Sequence, residues 1–264
     1  MEKTGSYKFG KEQGEWKYYH SDGKLNKIGY YNRAEKDGLW KWYHGNGKLR
    51  SRIFYKLNEE AGEYKSHYEN GNLHWSGSFK SGRQNGEWKK YYEDGQLNKI
   101  GSFYRGNRIG IWKIYYENGV LKKNDSFRGG QRHGEVKIYY QNENLKGIVS
   151  FFNGKPQGLL KTYYRSGELK ATGSFVRGRL QGEWKIYNES GNIKEIRSFN
   201  NHFGGKQVGQ WKFYNYNENG TLHNISSHQN DKKEGQTIFF NEDGDVKLID
   251  HFENGQLIRT EYPK

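Results

Sequence analysis

The amino-acid sequence predicts an all-β fold: an elongated, twisted, single antiparallel sheet of about ten tandem 24-residue β-hairpin repeats. Three observations lead to this prediction. A glycine recurs at constant spacing through most of the chain, as at Gly86, Gly110 and Gly134; an Asn-Gly or Asp-Gly turn separates apolar segments in most copies; and aliphatic residues are scarce. The 264 residues include 36 glycines and two prolines, and aromatic residues make up 17% of the chain although all hydrophobic residues reach only 32%. This composition favours a thin structure of hairpins over a globular interior.

The first strand of each repeat begins at a recurring glycine and carries a Trp and a Tyr at fixed distances. The Trp position is the second residue after the glycine, and the Tyr position is the fifth. The opening glycines are Gly14, Gly38, Gly62, Gly86, Gly110, Gly134, Gly158 and Gly182, then Gly209 and Gly235 at wider spacing. The Trp position holds Trp16, Trp40, Trp88, Trp112, Trp184 and Trp211, with Tyr64, Val136, Leu160 and Thr237 as substitutes. Because a large ring can cover a neighbouring glycine in a thin sheet, we expect the Trp position to be structural.

A turn follows the first strand in most repeats, as in "EDGQ" and "ENGV". Both residues of a two-residue hairpin turn need positive φ, which Asn, Asp and Gly tolerate, so we expect such a turn in every unit. The second strand then has an aliphatic residue and, six positions later, an aromatic one, such as Leu121 and Phe127. A connection such as "KSGRQNG" leads into the next unit.

A two-residue turn fixes which side chains share a face of the sheet. In this register Trp112 lies on the same face as Leu121 and Phe127. Asp125, at a position where other copies have glycine, lies opposite the Trp. A three-residue loop with a bulge would instead move the leucine to the face of Tyr115, and the sequence leaves that alternative open.

The repeat frame continues to the end of the chain, so we expect one repeat domain over residues 1–264. The last two steps between opening glycines, from Gly182 to Gly209 and from Gly209 to Gly235, are longer than the others. We expect the additional residues, near 201–205 and 215–219, to protrude from the sheet.

The segment "YYENGVLKKNDSFRGGQRHGEVKIYY" resembles the bacterial variant of the MORN repeat, whose units have an aromatic strand, an Asn-Gly turn and a Phe-x-x-Gly-x-x-x-Gly connection. That connection is present from Phe79 to Gly86, and the resemblance covers nearly the whole chain. The sequence departs from the pattern at Ala34 and Asn58 in two connections and at Glu143 in one turn, where glycine is expected. The resemblance implies a partner-binding protein, and in some members an antitoxin or immunity protein paired with a toxin.

Lysine occupies the third position after the opening glycine in nine of ten copies. Equivalent residues of neighbouring hairpins should lie two strand spacings apart, about 10 Å. We therefore predict rows of lysines and tyrosines that bind a partner, at Lys89, Tyr91, Lys113, Tyr115, Lys137, Tyr139, Lys161, Tyr163, Lys185 and Tyr187. The expected register adds second-strand cations to this face, including Lys122, Lys146 and Lys170. Alternatively, each lysine lies across a Tyr ring, pairs with a nearby Glu and only keeps the sheet solvated.

The formal net charge of +14 favours an acidic partner. A non-enzymatic module that binds an acidic protein is the leading hypothesis. The first alternative is binding of an anionic lipid surface or a nucleic acid through the Lys and Tyr rows. The second is a choline- or carbohydrate-binding repeat of the cell-wall type, because "WKYYHSDGK" is similar to those aromatic hairpins.

The sequence offers no recognisable catalytic constellation. It has no cysteine, no glycine-rich loop leading into a helix and no two histidines at metal-ligand spacing. We therefore expect no catalytic residue, no metal, no cofactor and no small-molecule substrate. No stretch approaches the roughly 18 apolar residues of a membrane span, and the N-terminus lacks the apolar core of a secretion signal, so we expect a cytoplasmic protein.

Overall fold

The computed structural model describes residues 2–200, 206–207, 211–218, 220–229 and 232–263. By its internal contacts the chain forms two compact units, Met1–His133 and Gly134–Lys264, which are described in turn. The described residues form strands and turns. Within them there is no helix with the length and apolar character that crossing a membrane requires.

In the first unit, the strands are β1 (Lys3–Lys8), β2 (Lys11–Tyr19), β3 (Leu25–Asn32), β4 (Glu35–Lys36), β5 (Gly38–Tyr43), β6 (Leu49–Lys56), β7 (Glu59–His67), β8 (Leu73–Lys80), β9 (Arg83–Tyr91), β10 (Leu97–Tyr104), β11 (Asn107–Tyr115), β12 (Leu121–Arg128) and β13 (Gln131–Arg132). Consecutive strands pair antiparallel, and β4 and β5 both pair with β3 as two segments of one strand.

In the second unit, the strands are β14 (Gly134–Tyr139), β15 (Leu145–Phe152), β16 (Lys155–Tyr163), β17 (Leu169–Val176), β18 (Arg179–Tyr187), β19 (Ile193–Asn200), β20 (Lys206–Gln207), β21 (Trp211–Tyr216), β22 (Leu222–Gln229), β23 (Lys232–Phe240), β24 (Val246–Glu253) and β25 (Gln256–Glu261). Consecutive strands again pair antiparallel, except that β20 and β21 both pair with β19. The prediction of an all-β antiparallel sheet built from consecutive hairpins is confirmed.

The turn within each hairpin is longer than the sequence predicted. In the fifth repeat the amide of Gly119 donates to the carbonyl oxygen of Tyr116 (3.0 Å), and the amide of Tyr116 donates to the carbonyl oxygen of Val120 (2.8 Å). The loop therefore has three residues, of which only Gly119 has a positive φ, at 81°. The expected two-residue turn is wrong because a type I turn closed by a left-handed glycine also fits an Asn-Gly sequence.

The two-residue turns lie instead in the connections between hairpins. Arg105 and Gly106 both have positive φ, at 50° and 83°, as a type I′ turn requires. Ala34 and Asn58, which replace glycine in two connections, adopt the same left-handed conformation at 70° and 66°. Glu143 does so at 66° in place of the turn glycine. These departures from the repeat pattern leave the backbone geometry unchanged.

Strand pairing in the body of each hairpin agrees with the expected register. Trp112 lies opposite Asp125. Near the turn the pairing shifts by one residue, because a bulge compensates for the additional loop residue, and Leu121 lies opposite Tyr115. The expectation that Leu121 shares the face of Trp112 is therefore wrong. We call the face that bears Trp112 the Trp face, and the face that bears Lys113 and Tyr115 the Lys face.

At five Trp positions, the tryptophan lies on a glycine of the strand before it. A Cβ atom on Gly101 would be 2.2 Å from Cδ2 of Trp112, so only a hydrogen fits there. The indole Nε1 of Trp112 donates to the carbonyl oxygen of Ser102 (3.2 Å), and its ring meets Phe103 edge-on. Trp112 is 2% exposed, which confirms its structural role. The same contact joins Gly5 to Trp16, Gly29 to Trp40, Gly77 to Trp88 and Gly173 to Trp184.

In several repeats, this glycine and the tryptophan are both replaced. We call the position that Gly101 has relative to Trp112 the glycine position. In two repeats it holds an aliphatic residue, Ile53 before Tyr64 and Val149 before Leu160. Ile53 is 2% exposed and lies directly opposite Tyr64. A larger residue at one position is therefore matched by a smaller one at the other, as expected where both overpacking and cavities cost stability.

A second set of contacts between neighbouring hairpins lies beside the turns. The hydroxyl of Tyr92 donates to the carbonyl oxygen of Tyr115 (2.8 Å). In the second unit the hydroxyl of Tyr164 donates to the carbonyl oxygen of Tyr187 (2.7 Å). The second tyrosine of each of these Tyr-Tyr pairs thus bonds one hairpin to the next.

One repeat has a buried carboxylate at the glycine position. Asp125 is 3% exposed and accepts hydrogen bonds from Nζ of Lys123 (2.7 Å) and Nε of Arg132 (2.9 Å). Burial raises the pKa of Asp125, but the hydrogen bonds from Arg132 and Lys123 outweigh burial and hold the pKa below its usual value. The carboxylate is therefore ionised and paired at neutral pH.

The ninth repeat keeps its predicted frame on one side only. Toward the preceding strand, Lys212 lies opposite Ile196 as Lys113 lies opposite Ile100, so Trp211 occupies the Trp position there. Toward the following strand, Tyr216 lies opposite Leu222 in the pairing that the Tyr position has in other repeats, so Tyr214 does not take the Tyr position in that pairing. Two of the additional residues thus lengthen strand β21 before its turn.

The predicted protrusion at 201–205 lies outside the described residues. Of the predicted protrusion at 215–219, residue 219 is likewise outside them, and residues 215 and 216 continue strand β21.

We predict that Gly101→Val destabilises the protein by about 2–4 kcal/mol, because the side chain must enter the volume of the Trp112 ring. Adding Trp112→Leu reproduces the natural Val149–Leu160 combination and should recover at least about 1 kcal/mol as a coupling energy. Denaturant unfolding of the four proteins of this cycle measures the coupling. Gly45→Val is the control, since a Cβ there meets nothing within 4 Å. Equal losses for the two glycine variants would contradict the packing described.

We also predict that the Asp125 ion pairs contribute stability that depends on pH. Because the folded-state pKa is lowered, this contribution is fully present above the unfolded-state pKa of about 3.9 and is lost as pH falls through the folded-state value. Asp125→Asn should therefore cost about 1–3 kcal/mol at pH 7 and progressively less below about pH 4. Urea unfolding at pH 7, 5 and 3 measures the difference, and a difference that does not change with pH would refute the assignment.

Candidate functional site

The structure brings the predicted lysines into rows on the Lys face of each unit. In the first unit, Lys89 and Lys113 lie on either side of Ile100. In the second unit, the row runs through paired residues in the order Lys137, Ile148, Lys161, Thr172 and Lys185. The geometry predicted for these residues is therefore present, and their role in binding stays a prediction.

The predicted tyrosines lie next to the lysines, at the end of the strand near the turn. Tyr91 lies opposite Leu97 and Tyr115 opposite Leu121. The remaining three pair in the same way, Tyr139 with Leu145, Tyr163 with Leu169 and Tyr187 with Ile193. All five tyrosines are half-buried. Each therefore offers part of a ring, supported by an aliphatic neighbour, on the same face as the lysines.

Three of the five predicted lysines have a carboxylate partner two residues earlier in the same strand. Lys89 lies 2.8 Å from Glu87, and the same arrangement gives 2.8 Å from Lys137 to Glu135 and 3.7 Å from Lys185 to Glu183. The hydrogen bond from Lys89 to Glu87 raises the pKa of Lys89. These pairs fit the alternative in which lysines only keep the sheet solvated, because their charge is already balanced.

The other two predicted lysines have an apolar residue where that glutamate would be. Ile111 precedes Lys113 and Leu159 precedes Lys161. Both lysines are exposed, and neither has an ion pair in the described part of the chain. Ile111 is 57% exposed and Leu159 is 51% exposed. At these places the Lys face presents an unbalanced cation beside an exposed aliphatic side chain.

The sequence prediction did not single out Ile111 and Leu159. The predicted rows consist of lysines and tyrosines that recur in the repeats, whereas Ile111 and Leu159 depart from the repeat. Comparison of the position before Trp across the repeats reveals them, because in five other copies that position holds glutamate, namely Glu15, Glu63, Glu87, Glu135 and Glu183.

The second-strand lysines predicted on this face lie elsewhere. Nζ of Lys146 is 5.3 Å from the ring centroid of Tyr140, and both residues line a groove with Val136 and Ile138 of the Trp face. The equivalent distances are 5.1 Å from Lys122 to Tyr116 and 5.2 Å from Lys170 to Tyr164. The prediction for these lysines is wrong because the bulge after the turn shifts the start of the second strand.

The Trp face carries shallow grooves. One of about 290 Å³ lies where Val136 and Leu160 replace tryptophan, and it is also lined by Val149. A cavity of about 650 Å³ in the first unit is lined by three histidines with Tyr64, Trp75 and other residues; the histidines are His44, His67 and His74. Burial lowers the pKa of His67 and of His74. Nowhere in the described ranges are three His, Cys, Asp or Glu side chains placed to hold a metal ion.

Solved structures of TcdB2-TccC3 complexes are distantly similar to this chain. The crystal structure of TcdB2-TccC3-TEV is 10% identical with a TM-score of 0.21, and that of TcdB2-TccC3 without the hypervariable C-terminal region is 11% identical with a TM-score of 0.24. The structure of the Photorhabdus luminescens Tc holotoxin pore is 13% identical with a TM-score of 0.20. Each match covers 92% of this chain but only 16%, 15% and 16% of the other chain. The TM-scores are too low to relate the folds.

No curated protein matches the sequence. A protein-family model described as "MORN repeat variant" matches seven segments, at 12–33, 36–57, 84–104, 108–128, 132–153, 156–177 and 180–201. These segments make up more than half of the chain and coincide with the hairpin repeats. The chain therefore belongs to the MORN repeat variant family.

Proposed function

We propose that this protein is a non-enzymatic repeat module that binds an acidic protein through the Lys face. The observation that carries the proposal is the pairing of unbalanced lysines with exposed aliphatic side chains at Ile111–Lys113 and Leu159–Lys161. A cation that needs no internal partner is free to pair with a carboxylate of another protein, and an adjacent apolar side chain contributes burial that does not depend on salt.

The two faces of the sheet support this choice of surface. On the Trp face the large side chains are used within the fold, since Trp88 and Trp112 are each 2% exposed. On the Lys face, half-buried tyrosines and exposed aliphatic residues remain accessible on rigid strands. A rigid surface loses little conformational entropy on binding, which favours recognition of a protein.

Inhibition of a toxin is one specific form of the proposal. The resemblance to MORN-variant antitoxins and immunity proteins favours a partner that is itself a toxin, and the basic Lys face then requires that this toxin present an acidic surface.

Two alternatives make different demands on the same residues. Anionic lipid or nucleic acid would bind through charge, so the affinity would fall steeply with salt, by about 10³- to 10⁵-fold between 50 and 200 mM for a nucleic acid. Choline would need open aromatic rings, but the chain's own Lys122 and Lys170 lie over the rings of Tyr116 and Tyr164.

The test is capture of the partner by charge-reversal variants on the two faces. The full chain is immobilised and exposed to a nuclease-treated extract of its native host, and captured proteins are identified by mass spectrometry. We expect an acidic protein whose capture falls at least about tenfold with Lys113→Glu plus Lys161→Glu. Lys122→Glu plus Lys170→Glu is the control, because it makes the same change in net charge beside rings of the other face.

Capture that is equally reduced by both pairs of variants would show that net charge and not the Lys face is recognised. Binding of phosphatidylserine vesicles or single-stranded DNA that is stronger than any protein capture, and that is lost by 200 mM salt, would replace the proposal with the first alternative.

A further inference from the structure

Three neighbouring residues of the Lys face break the repeat in the same direction. At the position of Tyr30 and Phe54, the other regular copies have serine, namely Ser6, Ser78, Ser102, Ser126, Ser150, Ser174 and Ser198. At the position of Leu39, five copies have glutamate. Polar residues have thus been replaced by large apolar residues at three positions in and around the second repeat.

These three residues are contiguous and exposed. Leu39 on β5 lies directly opposite Phe54 on β6. Tyr30 lies on the adjoining strand β3, where its Cβ is 3.4 Å from the place that a Cβ on Gly38 would take. Tyr30 is 48% exposed, Leu39 40% and Phe54 44%, although apolar side chains of this size are usually buried. We call Tyr30, Leu39 and Phe54 the apolar patch.

A row of three cations borders the apolar patch. Lys41 lies opposite Arg52, and Arg52 lies opposite Lys65, so cations occupy three consecutive strands. The middle position holds a neutral residue in the neighbouring repeats, Ile28 and Ser76. Like charges directly opposite each other destabilise a sheet. Arg52 therefore adds repulsion from Lys41 and Lys65, which a neutral residue at this position would avoid.

One carboxylate balances this row. Glu63 lies 2.7 Å from Arg52 and 2.8 Å from Lys65, while Lys41 has no ion pair among the described residues. The nearby Glu15 is already engaged, because it lies 3.1 Å from Lys17 and accepts a hydrogen bond from the hydroxyl of Tyr30 (3.3 Å). The row retains an excess of positive charge next to the apolar patch.

We propose that the apolar patch and the row of Lys41, Arg52 and Lys65 form the docking site for an acidic segment of a protein, one that carries apolar side chains between its carboxylates. This inference rests on the proposed function and names the part of the Lys face that gives it specificity. The excess positive charge fits the carboxylates, and the patch buries the apolar side chains. A lipid surface or nucleic acid would bind chiefly through the cations with an affinity that falls steeply with salt, whereas burial of apolar side chains keeps part of the affinity at high salt.

The test uses peptides selected on the full chain. Random 12-residue displayed peptides are enriched on the immobilised protein, and the dissociation constants of the selected peptides are measured by fluorescence anisotropy at fixed salt. We expect selected peptides to contain at least two carboxylates around a Leu, Ile, Phe or Trp.

The variant Tyr30→Ser plus Leu39→Glu plus Phe54→Ser should weaken binding about 10- to 100-fold. Arg52→Ser should weaken it about tenfold. All four substitutions introduce residues that other repeats hold at the same positions, so the fold should persist, and the denaturant midpoint checks this.

The matched control is Tyr104→Glu plus Phe152→Ser, which removes two exposed apolar residues at the ends of strands β10 and β15 and adds the same charge outside the patch. It should change the dissociation constant less than about twofold, as expected for a site that is not part of the docking surface. Failure to select acidic peptides with apolar residues, or unchanged binding by the patch variant, would overturn the proposal.

If Lys113→Glu weakens binding while the patch variant does not, the proposed function stands and this docking site is wrong. If binding is insensitive to every one of these variants, the Lys face is not the binding surface and both proposals fall.

Discussion

This fold depends on one kind of contact, in which a tryptophan ring lies on a glycine because no larger residue fits beneath it. A single sheet has no second layer against which to bury apolar surface, so burial has to occur between neighbouring hairpins. The absence of a side chain at Gly101 lets the ring of Trp112 lie flat on the preceding hairpin, where it bonds to Ser102 and meets Phe103. The constant repeat length follows from this contact, because the glycine of one unit must be placed under the tryptophan of the next.

The rings that pack neighbouring hairpins together lie on the Trp face, and this determines which residues the Lys face can carry. The Trp face is occupied by rings, and by lysines such as Lys122 that lie over tyrosines. The Lys face has no such packing to maintain, and its residues are therefore free to depart from the repeat. In five copies they keep a Lys-Glu pair, whereas around Leu39 and Arg52 they provide apolar surface and uncompensated charge. In the proposed function, these departures from the repeat, and not the repeated residues, give the Lys face its specificity.

Much of this could be predicted from the sequence, because periodicity reports packing directly. The hairpins, the structural role of the Trp position and the pairing of Trp112 with Asp125 all follow from spacing. The turn type did not follow, because a three-residue loop with a bulge and a two-residue turn give the same pairing in the body of the strands. That difference misplaced Leu121 and Lys122. The difference between Lys89, whose charge is balanced by Glu87, and Lys113, which follows Ile111, was also not predicted. It depends on one neighbouring residue, and a description of the repeat by its recurrent positions does not include that residue.

Removal of one repeat in frame tests the dependence on the glycine–tryptophan contact most directly. Deleting positions 78–101 joins Gly77 to Ser102, so that Gly77 takes the place of Gly101 relative to Trp112. The same deletion combined with Gly77→Val keeps the repeat length and the order of the hairpins but puts a side chain in that place. Denaturant unfolding followed by tryptophan fluorescence should show a cooperative transition for the plain deletion, with stability lowered by the loss of one repeat, and a clearly lower midpoint when Gly77→Val is added. Equal behaviour of the two deletion variants, or loss of folding in the first, would contradict the account.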